Sequence, residues 1–267
     1  MKTISKDGTG IVYTQTGSGP VLILVDGAFC SKDFGPMPKL APLLAESFTV
    51  FTYDRRARGE SGDTRPYTIQ KEIDDIHALI NEAGGSAFLF GISSGAVLAL
   101  KAVAAGLKVT GLALYEPPFN INGKHKKPPA GYQEELQLMI AEGRKGDAVK
   151  YYLAKVIGVP SLIVFILRLT ANWSKMKANA NSLPYDAEIM GEGTMPAEQV
   201  AAITIPAIVI AGEKSPGMLR EAAQAVAEKL KNGRHRILKG QTHNVSAKVL
   251  APVLIDFFTV EFKEKTA

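Results

Sequence analysis

Cysteine is nearly absent from the sequence, which contains only Cys30. A single cysteine excludes an intramolecular disulfide and any metal site built on several thiolates. The sequence is also poor in histidine, and its four copies do not cluster at metal-ligand spacing: His77, His125, His235 and His243. We therefore expect no metal site, no cofactor, and a reducing compartment.

Long apolar runs are missing as well. The strongest one, at residues 159–167, is interrupted by Pro160 and is far shorter than the roughly 20 residues that a membrane span requires. The residues that follow Met1 show no apolar core of a signal peptide. The sequence therefore predicts a cytoplasmic protein with no membrane partner.

A strong excess of one charge is lacking too. The net charge is +5 and the charges are dispersed, apart from the run Lys124-His125-Lys126-Lys127. No basic stripe is interleaved with aromatic residues, so we expect no nucleic-acid partner. The short basic run is typical of a solvated surface loop.

What the sequence does contain is an alternation of short apolar runs with longer amphipathic stretches. The apolar runs suit strands buried on both faces and lie at 21–25, 49–53, 87–90, 112–115 and 207–211. Helical patterns lie between or after them, at 38–47, 68–83, 95–105 and 216–231. This alternation predicts the α/β class, with a mostly parallel central sheet flanked by helices and an antiparallel hairpin at 4–16 in front of it.

One segment interrupts the alternation, because no strand pattern occurs between Tyr115 and Ala207. Its helical patterns lie at 133–143, 147–157 and 161–177. We predict a core formed by residues 1–118 and 204–267 and a helical cap insertion at 119–203. The six consecutive apolar residues at 162–167 are too dense for a one-faced helix, so we expect them to cover an apolar pocket and to pack on the sheet.

A sequence typical of a nucleophile turn follows the third of the buried strands. Gly91-Ile92-Ser93-Ser94-Gly95 stands between that strand and a helical pattern, which is the context that a serine nucleophile on a strand–turn–helix elbow requires. The following helix points its N–H groups at the site, so the Ser94 N–H can donate to a developing oxyanion. We predict that Ser93 is the catalytic nucleophile.

A serine hydroxyl needs an adjacent base, and His243 is the best candidate. It follows the last apparent strand, in the loop Lys239-Gly240-Gln241-Thr242-His243. A parallel sheet delivers such a loop to the same edge as Ser93. We predict that His243 is the general base.

Together these motifs resemble the α/β-hydrolase superfamily, in particular its single-domain members with a helical cap. The resemblance also rests on Asp26-Gly27 after the first core strand, on the loop at 54–62 and on Tyr115-Glu116-Pro117-Pro118 before the insertion. It implies the α/β-hydrolase fold and an oxyanion hole formed by the N–H groups of Ala28 and Ser94. It also implies a substrate pocket between sheet and cap, for which we predict Phe29, Trp173 and Phe165 as substrate-binding residues.

Two positions depart from the family pattern. Asp26 stands where the family usually has histidine, and an ionised carboxylate facing the oxyanion would oppose catalysis, so Asp26 either points away or marks an altered activity. Ser215 stands where the family pattern expects the catalytic aspartate. The acid that fixes the histidine tautomer is therefore Glu116, which we favour, or Glu213, or it is missing.

These residues predict a serine hydrolase that acts on a small, hydrophobic ester or related acyl substrate through an acyl-enzyme. Carbon–carbon bond hydrolysis and cofactor-free perhydrolysis on the same scaffold are the enzymatic alternatives. A ligand-binding, weakly active protein without a standard triad acid is the alternative from another class. The sequence leaves open whether the chain forms a homo-oligomer.

Overall fold

An eight-stranded, mostly parallel sheet forms the centre of the computed structural model, which describes residues 1–266. The strand order is β1-β2-β4-β3-β5-β6-β7-β8. Strands β1 and β2 form an antiparallel hairpin, β2 pairs antiparallel with β4, and all other pairs are parallel. The strand bounds are β1 Lys2–Ile4, β2 Gly10–Thr16, β3 Val21–Val25, β4 Thr49–Tyr53, β5 Ala87–Ile92, β6 Val109–Tyr115, β7 Ala207–Gly212 and β8 Gly233–Leu238. The predicted α/β fold with a mostly parallel sheet is confirmed.

Five helices flank the sheet: α1 Met37–Leu44, α2 Ile69–Glu82, α3 Ser94–Ala104, α10 Gly217–Lys229 and α11 Ala247–Thr266. Successive strand residues point to opposite faces, so Leu22 and Leu24 of β3 pack with α1 and α11, whereas Ile23 and Val25 pack with α2, α3 and α10. Both faces of the central strands are therefore buried, which explains why those strands are apolar without alternation.

Between β6 and β7 the described residues form helices and connecting loops only. The α-helices are α4 Tyr132–Ala141, α5 Lys145–Tyr151, α6 Ser161–Arg168, α7 Ala171–Ala178, α8 Leu183–Met190 and α9 Ala197–Ala201. A π-helical turn, Tyr152–Ile157, continues α5. We call residues 119–203 the inserted segment; its treatment as a separate unit stays a prediction.

The single helix predicted at 161–177 is wrong, because the chain breaks between α6 and α7. Thr170 is extended there, with φ −99° and ψ 158°, and its hydroxyl donates to the Leu167 carbonyl at 2.8 Å. A threonine side chain that bonds nearby backbone in this way competes with the helical ladder.

The expectation that residues 162–167 pack together on the sheet is also wrong. Val164 is buried and Leu167 is half-buried, but the other four side chains are exposed: Leu162, Ile163, Phe165 and Ile166. A surface helix turns about 100° per residue and buries one face, so six consecutive residues cannot all point inward. Within residues 1–266, no helix is both long and apolar enough to cross a membrane.

Candidate active site

Ser93 occupies the sharp turn that joins β5 to α3. Its backbone has φ 56° and ψ −127°, a conformation that L-residues rarely adopt and that occurs at strained functional turns. Both flanking glycines are required by close packing. A Cβ on Gly91 would lie 2.5 Å from the Gly95 carbonyl oxygen, and one on Gly95 would lie 2.3 Å from the Val25 carbonyl oxygen.

Tyr115, the last residue of β6, connects this turn to the loop that follows β8. Its carbonyl accepts the Ser93 N–H at 2.9 Å, and its hydroxyl donates to the Thr242 carbonyl at 2.7 Å. Glu116 follows Tyr115 and His243 follows Thr242 along the chain. Because Tyr115 contacts both the Ser93 turn and the loop after β8, Glu116 and His243 are held at the sheet edge where Ser93 emerges.

His243 and Glu116 form a hydrogen bond, with 2.6 Å between Nδ1 of the imidazole and Oε2 of the carboxylate. Glu116 is fully buried, and its φ of 49° is a second left-handed non-glycine conformation at this edge. Its other oxygen, Oε1, accepts the Gly212 N–H at 2.7 Å. The carboxylate therefore fixes the ring through Nδ1 and leaves Nε2 free for a serine hydroxyl.

The other acid candidates lie elsewhere. Glu213 accepts the Gly240 N–H at 2.8 Å and so braces the backbone of the histidine loop. Ser215 is buried, and its Oγ lies 2.8 Å from the position that a Cβ on Gly212 would take. Of the alternatives that the sequence left open, the structure places Glu116 against the histidine.

The loop after β3 lies directly behind the serine. A Cβ on Gly27 would be 3.1 Å from Ser93 Cβ and 3.7 Å from Ser93 Oγ. Ala28, the next residue, is half-buried. The Ser94 N–H belongs to the first turn of α3, where backbone donors have no carbonyl within their own helix. Ala28 and Ser94 thus belong to the two segments that adjoin Ser93, and their roles as oxyanion donors stay predictions.

Side chains from elsewhere hold four carbonyl groups of residues 26–30, which we call the oxyanion loop after its predicted role. Arg58 donates to the carbonyls of Gly27 and Cys30, the second at 3.2 Å. Arg55 donates to the Asp26 carbonyl at 3.1 Å, and Asn179 Nδ2 donates to the Phe29 carbonyl at 2.9 Å. Fixing the carbonyl of a peptide group also fixes the direction of the N–H that shares its plane, so the bond from Arg58 to the Gly27 carbonyl orients the Ala28 N–H.

The side chain of Asp26 lies in a buried niche beside Cys30 and Gly35. A Cβ on Gly35 would be 2.7 Å from Cys30 Sγ and 3.5 Å from Asp26 Oδ1, and that oxygen has no hydrogen-bond partner among the described residues. Burial raises the pKa of Asp26 to about 8, although Arg58 and Arg55 act in the opposite direction. The carboxyl is therefore neutral over much of the physiological pH range.

A buried ion-pair network joins α8 to the loop beneath the site. Asp186 is fully buried and accepts hydrogen bonds from Arg55 at 2.9 Å and from Arg58 at 2.7 and 2.8 Å. Its Oδ1 also accepts the Ser94 hydroxyl at 2.8 Å. Burial alone would raise the pKa of Asp186, but the two guanidinium groups hold it below its ordinary value.

The three predicted substrate-binding residues are not brought together. Phe29 and Trp173 belong to one buried apolar cluster of the inserted segment, in which the Phe29 ring meets the edge of Tyr152 at 5.3 Å. Phe165 lies outside this cluster, with 57 % of its surface exposed. Among the described residues, no group of three or more His, Cys, Asp or Glu side chains could hold a metal ion.

A comparison with protein-family profiles places the chain in a known family. The sequence profile described as the alpha/beta hydrolase family matches residues 21–248. The chain belongs to this family. The match spans every strand from β3 to β8, together with Ser93, Glu116 and His243.

Solved structures of α/β hydrolases extend the comparison to almost the whole chain. An alpha/beta hydrolase from Sphaerobacter thermophilus DSM 20745 is 44 % identical, with a TM-score of 0.92 over 97 % of this chain and 100 % of that one. The enol-lactonase from Burkholderia xenovorans LB400 is 18 % identical, with a TM-score of 0.71 over 97 % of this chain and 100 % of that one, a likeness of fold.

A curated hydrolase relative matches a shorter part of the chain. The uncharacterized hydrolase YraK of Bacillus subtilis is 36 % identical over 102 residues, which are 37 % of this α/β hydrolase and 37 % of YraK. The match thus spans little more than a third of that relative.

Sequence reasoning did not find two residues that brace the site, Asp186 and Asn179. One signal pointed toward the first of them: three arginines crowd the loop at 54–62, and buried arginines require acidic partners. The pattern could not say which carboxylates supply them, since Glu72, Asp75 and Asp186 are all distant in sequence.

Proposed function

We propose that this α/β hydrolase is a serine hydrolase that cleaves a small, hydrophobic ester through an acyl-enzyme on Ser93. The observation that carries the proposal is the 2.6 Å hydrogen bond between His243 and the buried Glu116, formed beside the elbow that presents Ser93. A nucleophile, a base and an acid that orients the base are the parts that acyl transfer requires.

In the proposed reaction, His243 Nε2 accepts the proton of the Ser93 hydroxyl while Oγ attacks the ester carbonyl carbon. The N–H groups of Ala28 and Ser94 donate to the resulting oxyanion. Collapse of the tetrahedral intermediate breaks the bond to the leaving alkoxide, which takes the proton from His243. Water, deprotonated by the same imidazole, then releases the carboxylic acid. The Glu116 carboxylate orients the imidazole and balances the charge of the imidazolium.

The hydrophobic character of the substrate is inferred from the residues next to the oxyanion loop. Phe29 follows Ala28 directly and packs into the apolar cluster of the inserted segment, to which Trp173 and Met176 also belong. Apolar walls with a few polar groups are typical of sites for small organic ligands. We propose that Phe29 contacts the acyl group of the substrate and that Trp173 packs behind Phe29 in the same buried cluster. The exposed Phe165 takes no part in substrate binding.

The alternative of a weakly active ligand-binding protein rested on the missing aspartate at Ser215. The hydrogen bond between Glu116 and His243 supports catalysis instead, since it supplies the function of that acid from the end of the neighbouring strand. The neutral form of Asp26 also favours an ordinary oxyanion hole, because a protonated carboxyl does not repel an oxyanion.

The test is hydrolysis of p-nitrophenyl esters of increasing acyl length by the wild type and by Ser93→Ala and His243→Ala. We expect both variants to lose at least about a thousandfold in kcat. Ser86→Ala and His77→Ala replace exposed residues remote from the elbow and should keep full activity. A fluorophosphonate probe should label the wild type at Ser93; equal ester hydrolysis by all five proteins would refute the proposal.

A further inference from the structure

Helix α6 turns an apolar stripe toward solvent. Leu162, Phe165, Ile166 and Leu169 lie at i, i+3, i+4 and i+7 and are 70, 57, 53 and 75 % exposed. The opposite side of the helix is also apolar, since Val164 and Leu167 face the cluster of the inserted segment. Packing inside the protein therefore does not require the outward stripe. Contiguous exposed apolar surface of this kind marks interaction sites.

The residues around this stripe are strongly basic. Between positions 142 and 177 there are two acidic residues, Glu142 and Asp147, and seven basic ones: Arg144, Lys145, Lys150, Lys155, Arg168, Lys175 and Lys177. The rest of the inserted segment has the opposite balance, with three lysines and six acidic residues. The net charge of the inserted segment is close to zero only because its two parts carry opposite charge. We call the basic part the α5–α7 face (residues 142–177).

A groove of about 590 Å³ lies within the α5–α7 face and is lined by Arg144, Lys145, Lys150, Arg168 and Lys177, with Asp147 and Trp173. Arg168 joins the groove to the apolar stripe, because it precedes Leu169 and its guanidinium lies 5.9 Å from the centre of the Trp173 ring. Arg144 is paired with Glu142 and Asp147, which leaves an excess of cationic groups around the groove.

We propose that the α5–α7 face docks this protein on the surface of anionic phospholipid bilayers. In this arrangement the α6 stripe enters the boundary between headgroups and acyl chains, and the groove cations contact lipid phosphates. Interfacial helices with large apolar residues on one side and lysine or arginine beside them bind membranes in this way. Docking on a surface needs no membrane-spanning helix, so it is compatible with the lack of one in the described residues.

The charge of the face favours a bilayer over a second copy of the chain. In a symmetric dimer the same patch meets itself, which would bring two clusters of seven basic residues together. Like charges facing each other across an interface are unfavourable. An anionic lipid surface complements the basic groups and accepts the apolar stripe at the same time.

Flotation with phospholipid vesicles tests the proposal on the whole chain of 267 residues. We expect the wild type to float with phosphatidylcholine vesicles that contain phosphatidylserine, and to float far less with phosphatidylcholine alone or at high salt. Phe165→Gln with Leu169→Gln should reduce the partition coefficient at least about tenfold, and Lys145→Gln with Lys150→Gln on the order of tenfold.

Each double variant has a control in the same segment. Leu138→Gln removes an exposed apolar side chain from α4, and Lys124→Gln with Lys126→Gln removes the same charge from the loop before α4. The controls should bind vesicles like the wild type. Equal loss in the controls, or wild type that floats with neither vesicle, would overturn the proposal. So would a dimer in light scattering without lipid that Phe165→Gln dissociates, which would assign the stripe to a second copy.

Discussion

The hydroxyl of Ser94 donates to Oδ1 of Asp186 at 2.8 Å, although the two residues lie 92 positions apart. Ser94 follows the proposed nucleophile and is the proposed source of one oxyanion N–H, whereas Asp186 belongs to α8 of the inserted segment. The same carboxylate accepts hydrogen bonds from Arg55 and Arg58, and these two arginines also donate to carbonyl groups of the oxyanion loop. One buried side chain thus connects the inserted segment to both halves of the proposed oxyanion hole.

Replacing Asp186 should destabilise the protein. Asp186→Asn keeps the size of the side chain but leaves Arg55 and Arg58 without their shared charge partner in a buried site. Breaking a buried pair costs about 3–5 kcal/mol, so we expect that loss in the free energy of unfolding measured with urea. Asp147→Asn, an exposed aspartate of α5, should change it by less than about 0.5 kcal/mol. Unfolding curves that coincide for both variants would contradict the proposed anchoring.

Replacing Glu116 should impair turnover with little effect on KM. Glu116→Gln preserves the acceptor for the Gly212 N–H but removes the charge that faces His243 Nδ1, so the imidazole loses its fixed tautomer and its counter-charge. By analogy with other triads, kcat for a p-nitrophenyl ester should fall by about 10³–10⁴. Glu213→Gln, which only loosens a contact with the Gly240 backbone, should retain kcat within about a few-fold. Comparable losses in both variants would reject Glu116 as the acid.

How much of this molecule the sequence predicts depends on how far apart in the sequence the contacting residues lie. The strands, the turn at Ser93 and the loop at His243 follow from local patterns and from the rule that parallel strands end at one edge, so the sheet is predicted within a few residues. The break at Thr170 follows from a local hydrogen bond that the apolar pattern does not show. Which side of α6 is exposed depends on what the inserted segment packs against. The sequence alone could not decide which acid binds His243. Glu116 and Glu213 follow neighbouring strands and differ only in the direction of their side chains, and no sequence pattern encodes that direction.

Replacing Asn179 should reduce kcat by loosening the oxyanion loop. Its amide nitrogen donates to the Phe29 carbonyl and its amide oxygen accepts the Gly59 N–H at 3.3 Å, so Asn179→Ala frees the Phe29–Cys30 peptide, two peptide groups beyond the one that carries the Ala28 N–H. Small misplacements of oxyanion donors are costly, and we expect kcat to fall about ten- to a hundredfold with KM nearly unchanged. Asn172→Ala, at an exposed position of α7, serves as the control. A rise in KM with unaltered kcat would assign Asn179 to substrate binding instead.

The buried carboxyl of Asp26 should make stability decrease as the pH rises. In the unfolded chain an aspartate titrates near pH 3.9, whereas burial raises the pKa of Asp26 to about 8 in the folded protein. Between these values the folded state holds a proton that the unfolded state has lost. The free energy of unfolding therefore falls from about pH 4 to pH 8, by at most about 1.4 kcal/mol per pH unit, and this contribution is constant above pH 8.

Asp26→Asn isolates this effect, because an amide resembles the protonated acid and does not titrate. Asp75, whose pKa burial raises to about 6 despite its pairing with Arg56, contributes equally to both proteins and cancels in the comparison. We expect the two proteins to be similarly stable near pH 4 and the variant to be the more stable one at pH 8, as measured by urea unfolding across the range. A wild type that is instead the more stable protein above pH 4, by an amount that stays constant up to pH 8, would mean that Asp26 is ionised in the folded protein and stabilised by Arg58 and Arg55. In that case the carboxylate beside the oxyanion loop would be charged at neutral pH. The ester hydrolysis proposed for Ser93 would then have to proceed against the repulsion between this carboxylate and the oxyanion.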